Sequence, residues 1–182
     1  VLCEKALTED LSKTEELVQL SLKTGVKLQE VVMYQYHRQF SWVRQYFESF
    51  KEGQLVKVSS CFRIPHLKPS DIRYKASEGG GALLDVGFYP ISFILSLLGE
   101  PTKIHSYTAR NPRFEVDLGG SALMEYNGFF AQADWGIGGI YQNKSTIEWE
   151  EKKITIDHSF SKPNGLQTTC EIEENGIPSE KI

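Results

Sequence analysis

Asp85 and Tyr89 are the side chains of this sequence best suited to moving a proton, and they stand four residues apart. They belong to Glu78-Gly79-Gly80-Gly81-Ala82-Leu83-Leu84-Asp85-Val86-Gly87-Phe88-Tyr89-Pro90, where a glycine run opens what reads as a helix. Side chains at i and i+4 share one helix face, one turn apart. A carboxylate stacked under a phenol near a helix start can hold and pass a proton. Glu4-Lys5, near the other end of the chain, closes a short apolar run and adds a cation. Arg73, just before the glycines, offers a planar donor fork suited to a phosphate or a hydroxyl.

Each of these residues also has a plainer reading. Lys5 can be a surface lysine at a strand end. Tyr89 can be a core aromatic with its hydroxyl at the rim. Asp85 can be a helix-start carboxylate favoured by the dipole. Arg73 can be a solvated loop charge. His37, His66, His105 and His158 show no ligand spacing such as HxxxH, so no metal site is expected.

The elements that must position these residues follow from periodicity. Val1-Leu2-Cys3 reads as the end of a buried strand. Thr8 offers an N-cap, with Glu9 and Asp10 in the first turn. Leu11, Val18 and Leu22 make a helical stripe that Gly25 ends, and Val26 to Tyr34 reads as a second strand. Residues 1–34 are therefore a strand–helix–strand unit, too small to bury a core alone. Trp42, Val43, Tyr46, Phe47 and Phe50 lie on one face of a further helix, closed by Gly53. Val56 to Ile64 reads as a strand and Pro65 to Ser77 as a loop. Phe88, Ile91, Leu95 and Leu98 form another helical stripe ending at Gly99-Glu100-Pro101.

Beyond that point the period becomes two: Phe129, Ala131, Ala133 and Trp135 alternate with Phe130, Gln132 and Asp134, Ile147 and Trp149 with charged partners, and Ile154, Ile156 and His158 with Lys153, Thr155 and Asp157. The expected fold is α+β, an open and mainly antiparallel sheet with helices on one face over residues 35–160. Those apolar strand residues cannot be assigned to one covered face by pattern alone, so a homodimer through an open apolar sheet face is expected. Residues 161–182, rich in Glu and carrying Pro163 and Pro178, read as a polar tail.

Composition narrows the classes. A net charge of −4 leaves no basic footprint and argues against nucleic acid. Cys3, Cys61 and Cys170 are odd in number and lack any CxxC, which argues for a reducing compartment and hence the cytoplasm. No apolar run approaches bilayer-spanning length, and no signal peptide is visible, so no membrane association is expected. The chain starts at Val1 inside an apolar run and reads as a piece of a larger protein.

Glu4-Lys5 after a strand resembles the EKP region of the Gfo/Idh/MocA oxidoreductases, and Glu78 to Gly99 resembles their GGGALxDxGxYP segment. Tyr34-Gln35-Tyr36-His37, Gly53-Gln54-Leu55 and the alternating strands from Ile104 to His158 follow the same order, so the resemblance covers about residues 1 to 160. Asp71-Ile72-Arg73-Tyr74 is most similar to nucleotide-sugar 3-ketoreductases, with dihydrodiol and aldose dehydrogenases close behind. The resemblance implies an NAD(P)-dependent oxidoreductase that moves a hydride to or from a sugar or nucleotide-sugar carbonyl. It places Lys5, with Glu4, beside the cofactor and Lys5 beside the reacting oxygen. It makes Tyr89 the proton donor, and Asp85 and Arg73 substrate ligands.

Two departures from the family pattern stand out. Ala6 occupies the position of the EKP proline, and Tyr89 stands where many members carry histidine. No GxGxxG follows a strand and opens a helix, and Gly136 to Gly139 leads into another strand pattern, as at a bend or bulge. Residues 1–34 then read as the end of a dinucleotide-binding domain, and the chain alone is expected to be inactive. The alternative is a non-catalytic relative that keeps the sheet for dimerisation or ligand sensing.

Overall fold

The computed structural model describes residues 1–50 and 54–181, so Gly53, expected to end a helix, lies outside the described residues. Strands β1 (Leu2–Glu4) and β2 (Gln29–Val31) pair in parallel, with Glu4 opposite Val31. Helix α1 (Leu11–Thr24) joins them and ends at Gly25, whose φ of 71° is the left-handed cap conformation glycine favours. The N-cap is Asp10 rather than Thr8: its carboxylate accepts the Lys13 N–H at 2.9 Å, while Thr8 Oγ1 donates to the Asp10 carbonyl at 2.6 Å. An ionised cap gains both the hydrogen bond and the dipole. No residue of α1 is buried, and Leu11 and Leu22 are 73% and 72% exposed, so the apolar stripe faces no partner among the described residues.

The second strand is shorter than its sequence pattern. After Val31 the chain enters a 3₁₀ turn, Met33–Tyr36, which sends Tyr34 into the core under the large sheet. Val32 and Tyr34 are apolar because they serve that core, and their run imitates a longer strand.

The main body is one eight-stranded sheet. Its strands are β3 (Leu55–Ile64), β4 (Lys103–Arg110), β5 (Asp117–Glu125), β6 (Phe130–Ile137), β7 (Gln142–Trp149), β8 (Lys152–Asp157), β9 (Cys170–Glu174) and β10 (Ile177–Lys181). They lie in the order β10-β9-β8-β7-β3-β6-β5-β4, and only the β3–β6 pair is parallel. Helices α2 (Arg38–Ser49) and α3 (Phe88–Leu98) cover one face. This is the expected α+β architecture. Period-two alternation places Val58, Phe62, Ala131, Ala133, Trp135, Ile147, Ile154 and Ile156 on the covered face, all buried. Each large apolar side chain so buried contributes about 1.5–3 kcal/mol. Phe47 and Phe50 meet Trp149 at 6.0 and 5.5 Å, fixing α2 to the sheet.

The apolar strand residues thus take one side, and the expected apolar open face does not form. The opposite face carries Ser59, Gln132, Asp134, Lys144, Thr146 and Thr155 in the cross-strand register, with Cys61, Tyr107, Leu123 and Phe130 among its less polar members. Phe129 leaves the pattern and stacks on Tyr126 at 5.0 Å.

Two further expectations are corrected. Residues 161–182 are not a polar tail, because β9 and β10 extend the sheet from Cys170. Ile172 pairs with Ile154 and Cys170 with Ile156, and both are buried. The stretch Ala76–Leu98 contains an 18-residue window of mean hydropathy 1.7, and is long and apolar enough by length and composition to cross a membrane. Its Val86, Pro90, Phe93 and Ile94 are buried in the protein, so here it serves as a core segment.

Candidate active site

The triple glycine shapes a close backbone crossing. A Cβ on Gly80 would stand 2.7 Å from the carbonyl oxygens of Arg73 and Lys75, and Gly81 adopts a φ of 124° that excludes most side chains. The crossing brings Gly81 N–H to the Arg73 carbonyl at 3.0 Å. Asp117, at the start of β5, then accepts the Leu83 N–H at 2.9 Å and anchors the next turn.

That turn, Leu83–Gly87, is π-helical, and α3 follows it directly. Asp85 and Tyr89 therefore sit across a change of helical pitch. No side-chain hydrogen bond joins them among the described residues. The pair works through charge instead, as the Tyr89 phenol shows.

Lys5 reaches the turn from the end of β1. Its Nζ donates to the Asp85 carbonyl at 2.7 Å and to Asp85 Oδ1 at 3.0 Å, and it lies 3.5 Å from the Leu84 carbonyl oxygen. Both side chains are largely shielded, at 12% and 22% exposed. The same ammonium stands 5.1 Å from the centre of the Tyr89 ring, within cation–π range. The peptide joining Lys5 to Ala6 is cis. Arg73 completes the group: Nε donates to Asp85 Oδ2 at 2.6 Å and Nη1 to Asp71 Oδ1 at 3.2 Å. Burial works against the Arg73 cation, but the charge and hydrogen bond of Asp85, with Asp71 behind them, hold its pKa above the ordinary value.

Tyr89 is packed among Phe62, Phe88 and Phe160, with ring centres 5.3 to 5.8 Å away. Burial, then the charges of Asp85 and Glu4, push its phenol pKa up, and Arg73 pulls it down. The phenol therefore stays protonated throughout the physiological range. Burial and the two carboxylates outweigh the pull of the Arg73 cation.

Lys5, Arg73 and Asp85 line one cleft of about 490 Å³, together with Thr8, Lys13 and Gly80. The volume suits a small ligand. Tyr89 is not in that lining and meets it through Lys5. Glu4 is exposed at the end of β1, outside the lining. Sequence reasoning thus named the cleft's Lys5, Asp85 and Arg73 but missed Asp71 and Asp117. Asp71 had a local signal, an Asp two residues before Arg73 whose side chain accepts the Arg73 N–H at 3.0 Å. Asp117 had none, because it acts across the fold.

Residues 40–157 match the GFO/IDH/MocA C-terminal domain, and with relatives at a third identity along the whole chain, this protein belongs to the Gfo/Idh/MocA family. The dTDP-3,4-didehydro-2,6-dideoxy-alpha-D-glucose 3-reductase of Streptomyces violaceoruber is 33% identical over 100% of this chain and 54% of its own length. The enzyme of that name from Saccharopolyspora spinosa is 34% identical over 99% and 55%. The chain thus spans about half the length of the curated relatives it matches. A 3-ketoreductase from Actinomadura kijaniata, solved with NADP and TDP-benzene, superposes with a TM-score of 0.91 at 30% identity, over 100% of this chain and 56% of that one. It has also been solved with one tyrosine or one lysine replaced, and those two positions are as far apart in sequence as Lys5 and Tyr89.

Proposed function

We propose that this chain is the substrate-binding half of an NAD(P)-dependent oxidoreductase that acts on the carbonyl, or the corresponding alcohol, of a nucleotide-linked sugar. The observation that carries the reading is the Lys5 ammonium, held at 3.0 Å by Asp85 and standing 5.1 Å from the Tyr89 ring at the rim of a ligand-sized cleft. The relatives' 3-reductase activity and the NADP in the neighbouring structure support it.

In this reading Lys5 and Glu4, at the end of β1, meet the nicotinamide end of the cofactor. The shielded cation beside an open cleft fits that neighbour. When bound, the cofactor supplies the hydride. Lys5 stabilises negative charge growing on the substrate oxygen. Its 3.5 Å contact with the Leu84 carbonyl is long enough to exchange for that oxygen. Tyr89, kept protonated by burial and by Asp85 and Glu4, gives the proton that neutralises it. Asp85, bonded to Arg73 at 2.6 Å, stands in the wall of the cleft against which the sugar lies.

The same proposal includes a homodimer through the open sheet face. Leu123 and Phe130 are each 39% exposed there, and Tyr107 is 73% exposed. A cytoplasmic setting suits three free cysteines, and neither nucleic acid nor membrane is part of the reading. A second reading, a non-catalytic ligand-sensing relative, draws support from the fact that Lys5 already has partners within the chain.

The test uses the full-length protein with NADPH and a dTDP-linked 3-keto sugar, followed by loss of nicotinamide absorbance. Turnover that Tyr89→Phe lowers by about 10²–10⁴-fold supports the reading. Cofactor binding without turnover of any nucleotide-linked keto sugar favours the sensing relative.

A further inference from the structure

Asp85 carries two cations at once. Oδ1 accepts from Lys5 at 3.0 Å and Oδ2 from Arg73 at 2.6 Å, so both carboxylate oxygens are engaged before any substrate arrives. Arg73 is itself anchored on three sides. Its Nη1 bonds Asp71 Oδ1 at 3.2 Å, its N–H bonds the same oxygen at 3.0 Å, and its carbonyl accepts from Gly81 at 3.0 Å. The result is a row of alternating charge, Asp71–Arg73–Asp85–Lys5, that runs along the cleft from the glycine crossing to the end of β1.

We infer that Arg73 is a positioning residue: its guanidinium fixes the plane of the Asp85 carboxylate and, through it, the place of the Lys5 ammonium. This rests on the proposal that Lys5 acts on the substrate oxygen. The terminal torsion of an aspartate is broad, so a carboxylate held at one oxygen swings readily. Held at both, it has one orientation. A guanidinium suits this task because its donors are fixed in a plane, whereas a lysine is a point charge on a flexible stem. The glycine crossing explains how Arg73 stays in place, since its backbone is pinned on both sides of the side chain. The Arg73 charge also opposes burial, Asp85 and Glu4 at the Tyr89 phenol. Its effect therefore reaches the proton donor, which it does not touch.

The experiment compares full-length wild type with Arg73→Met and Arg73→Lys. Arg73→Met should lower kcat by up to about 10²-fold, the scale of a small misplacement of a reacting group, with KM little changed. The alkaline limb of its kcat profile should move to higher pH, because a cation that favours the phenolate is gone. Arg73→Lys should return the limb toward wild type but recover only part of kcat. A raised KM with unchanged kcat would make Arg73 a direct substrate ligand and overturn the inference. Crystals of full-length Arg73→Met supply a readout that needs no substrate: Lys5 Nζ should leave hydrogen-bond reach of Asp85 Oδ1. Unaltered Lys5–Asp85 contacts would overturn the positioning role whatever the activity. A wild type without ketoreductase activity would sink the proposed reaction and leave this structural readout to decide on Arg73.

Discussion

Gly87 lies directly against the indole of Trp135, so close that a Cβ on the glycine would stand 2.9 Å from Cγ of the ring. Gly120 of β5 grips the same ring from the sheet, where a Cβ would stand 2.5 Å from Cζ2. The π turn that carries Asp85 is therefore seated on Trp135, and its distance from the sheet is set by the absence of two side chains. The contact is with a rigid buried ring rather than a flexible tip. Gly87→Ala should cost about 1–3 kcal/mol, the range for overpacking a core, and displace Asp85 from Lys5. Urea unfolding of the variant measures the first effect. Wild-type stability would mean that the turn is seated by other contacts.

Lys5 and Tyr89 should fail together. If both serve one proton-and-charge step, Lys5→Ala should cost full-length kcat at least as much as Tyr89→Phe, and the double variant little more than the worse single one. Tyr89→Phe should leave substrate binding nearly intact, because the ring keeps its packing on Phe62 and Phe160. Steady-state kinetics of the two singles and the double decide this. Fully multiplicative losses would show that the two residues act in separate steps.

The sheet edge offers a stability test. Asn175 and Gly176 adopt φ values of 50° and 78°, the left-handed pair of a tight hairpin turn. They join β9 to β10 and let Ile172 close over Ile154. Ile172→Ala should destabilise by about 2–5 kcal/mol, as a fully buried truncation does. A loss below about 0.5 kcal/mol, typical of surface positions, would show that the hairpin is not part of the cooperative core.

That hairpin was within reach of sequence reasoning. Asn-Gly between alternating segments is a strong hairpin signal, and Cys170 and Ile172 alternate with Glu171 and Glu173. The glutamates make the segment look solvated, although an edge strand needs apolar residues on one face only. The strand–helix–strand start, the Gly25 stop and the period-two strands were legible because each is fixed by neighbours in sequence. Lys5, Asp85 and Arg73 were legible as chemistry, and the resemblance joined them in one site. The π turn, the seat on Trp135 and the Asp117 anchor were not. Each depends on a contact between elements that no local pattern encodes.

Two titrations of opposite sign should appear in the alkaline stability of this chain. Burial lowers the Lys162 pKa from 10.5 to about 8. Between those values the unfolded chain holds a proton that the folded one has released, so this group favours folding more as pH rises. Burial raises Tyr126 from 10.0 to about 12, and its hydroxyl donates to the Gly99 carbonyl at 3.0 Å. Between those values the folded chain keeps a proton that the unfolded one loses, so stability falls as pH rises. Cys170, raised by burial from 9.0 to about 11, falls in the same direction as Tyr126 and overlaps the Lys162 window. Differences from wild type therefore separate the groups better than the raw curve. Lys162→Met, measured by urea unfolding, should lose ground to wild type between about pH 8 and 10.5, because it lacks the rising contribution. Tyr126→Phe should gain ground between pH 10 and 12. A Lys162→Met difference that is flat across its window would show that the amine is solvated in the folded protein.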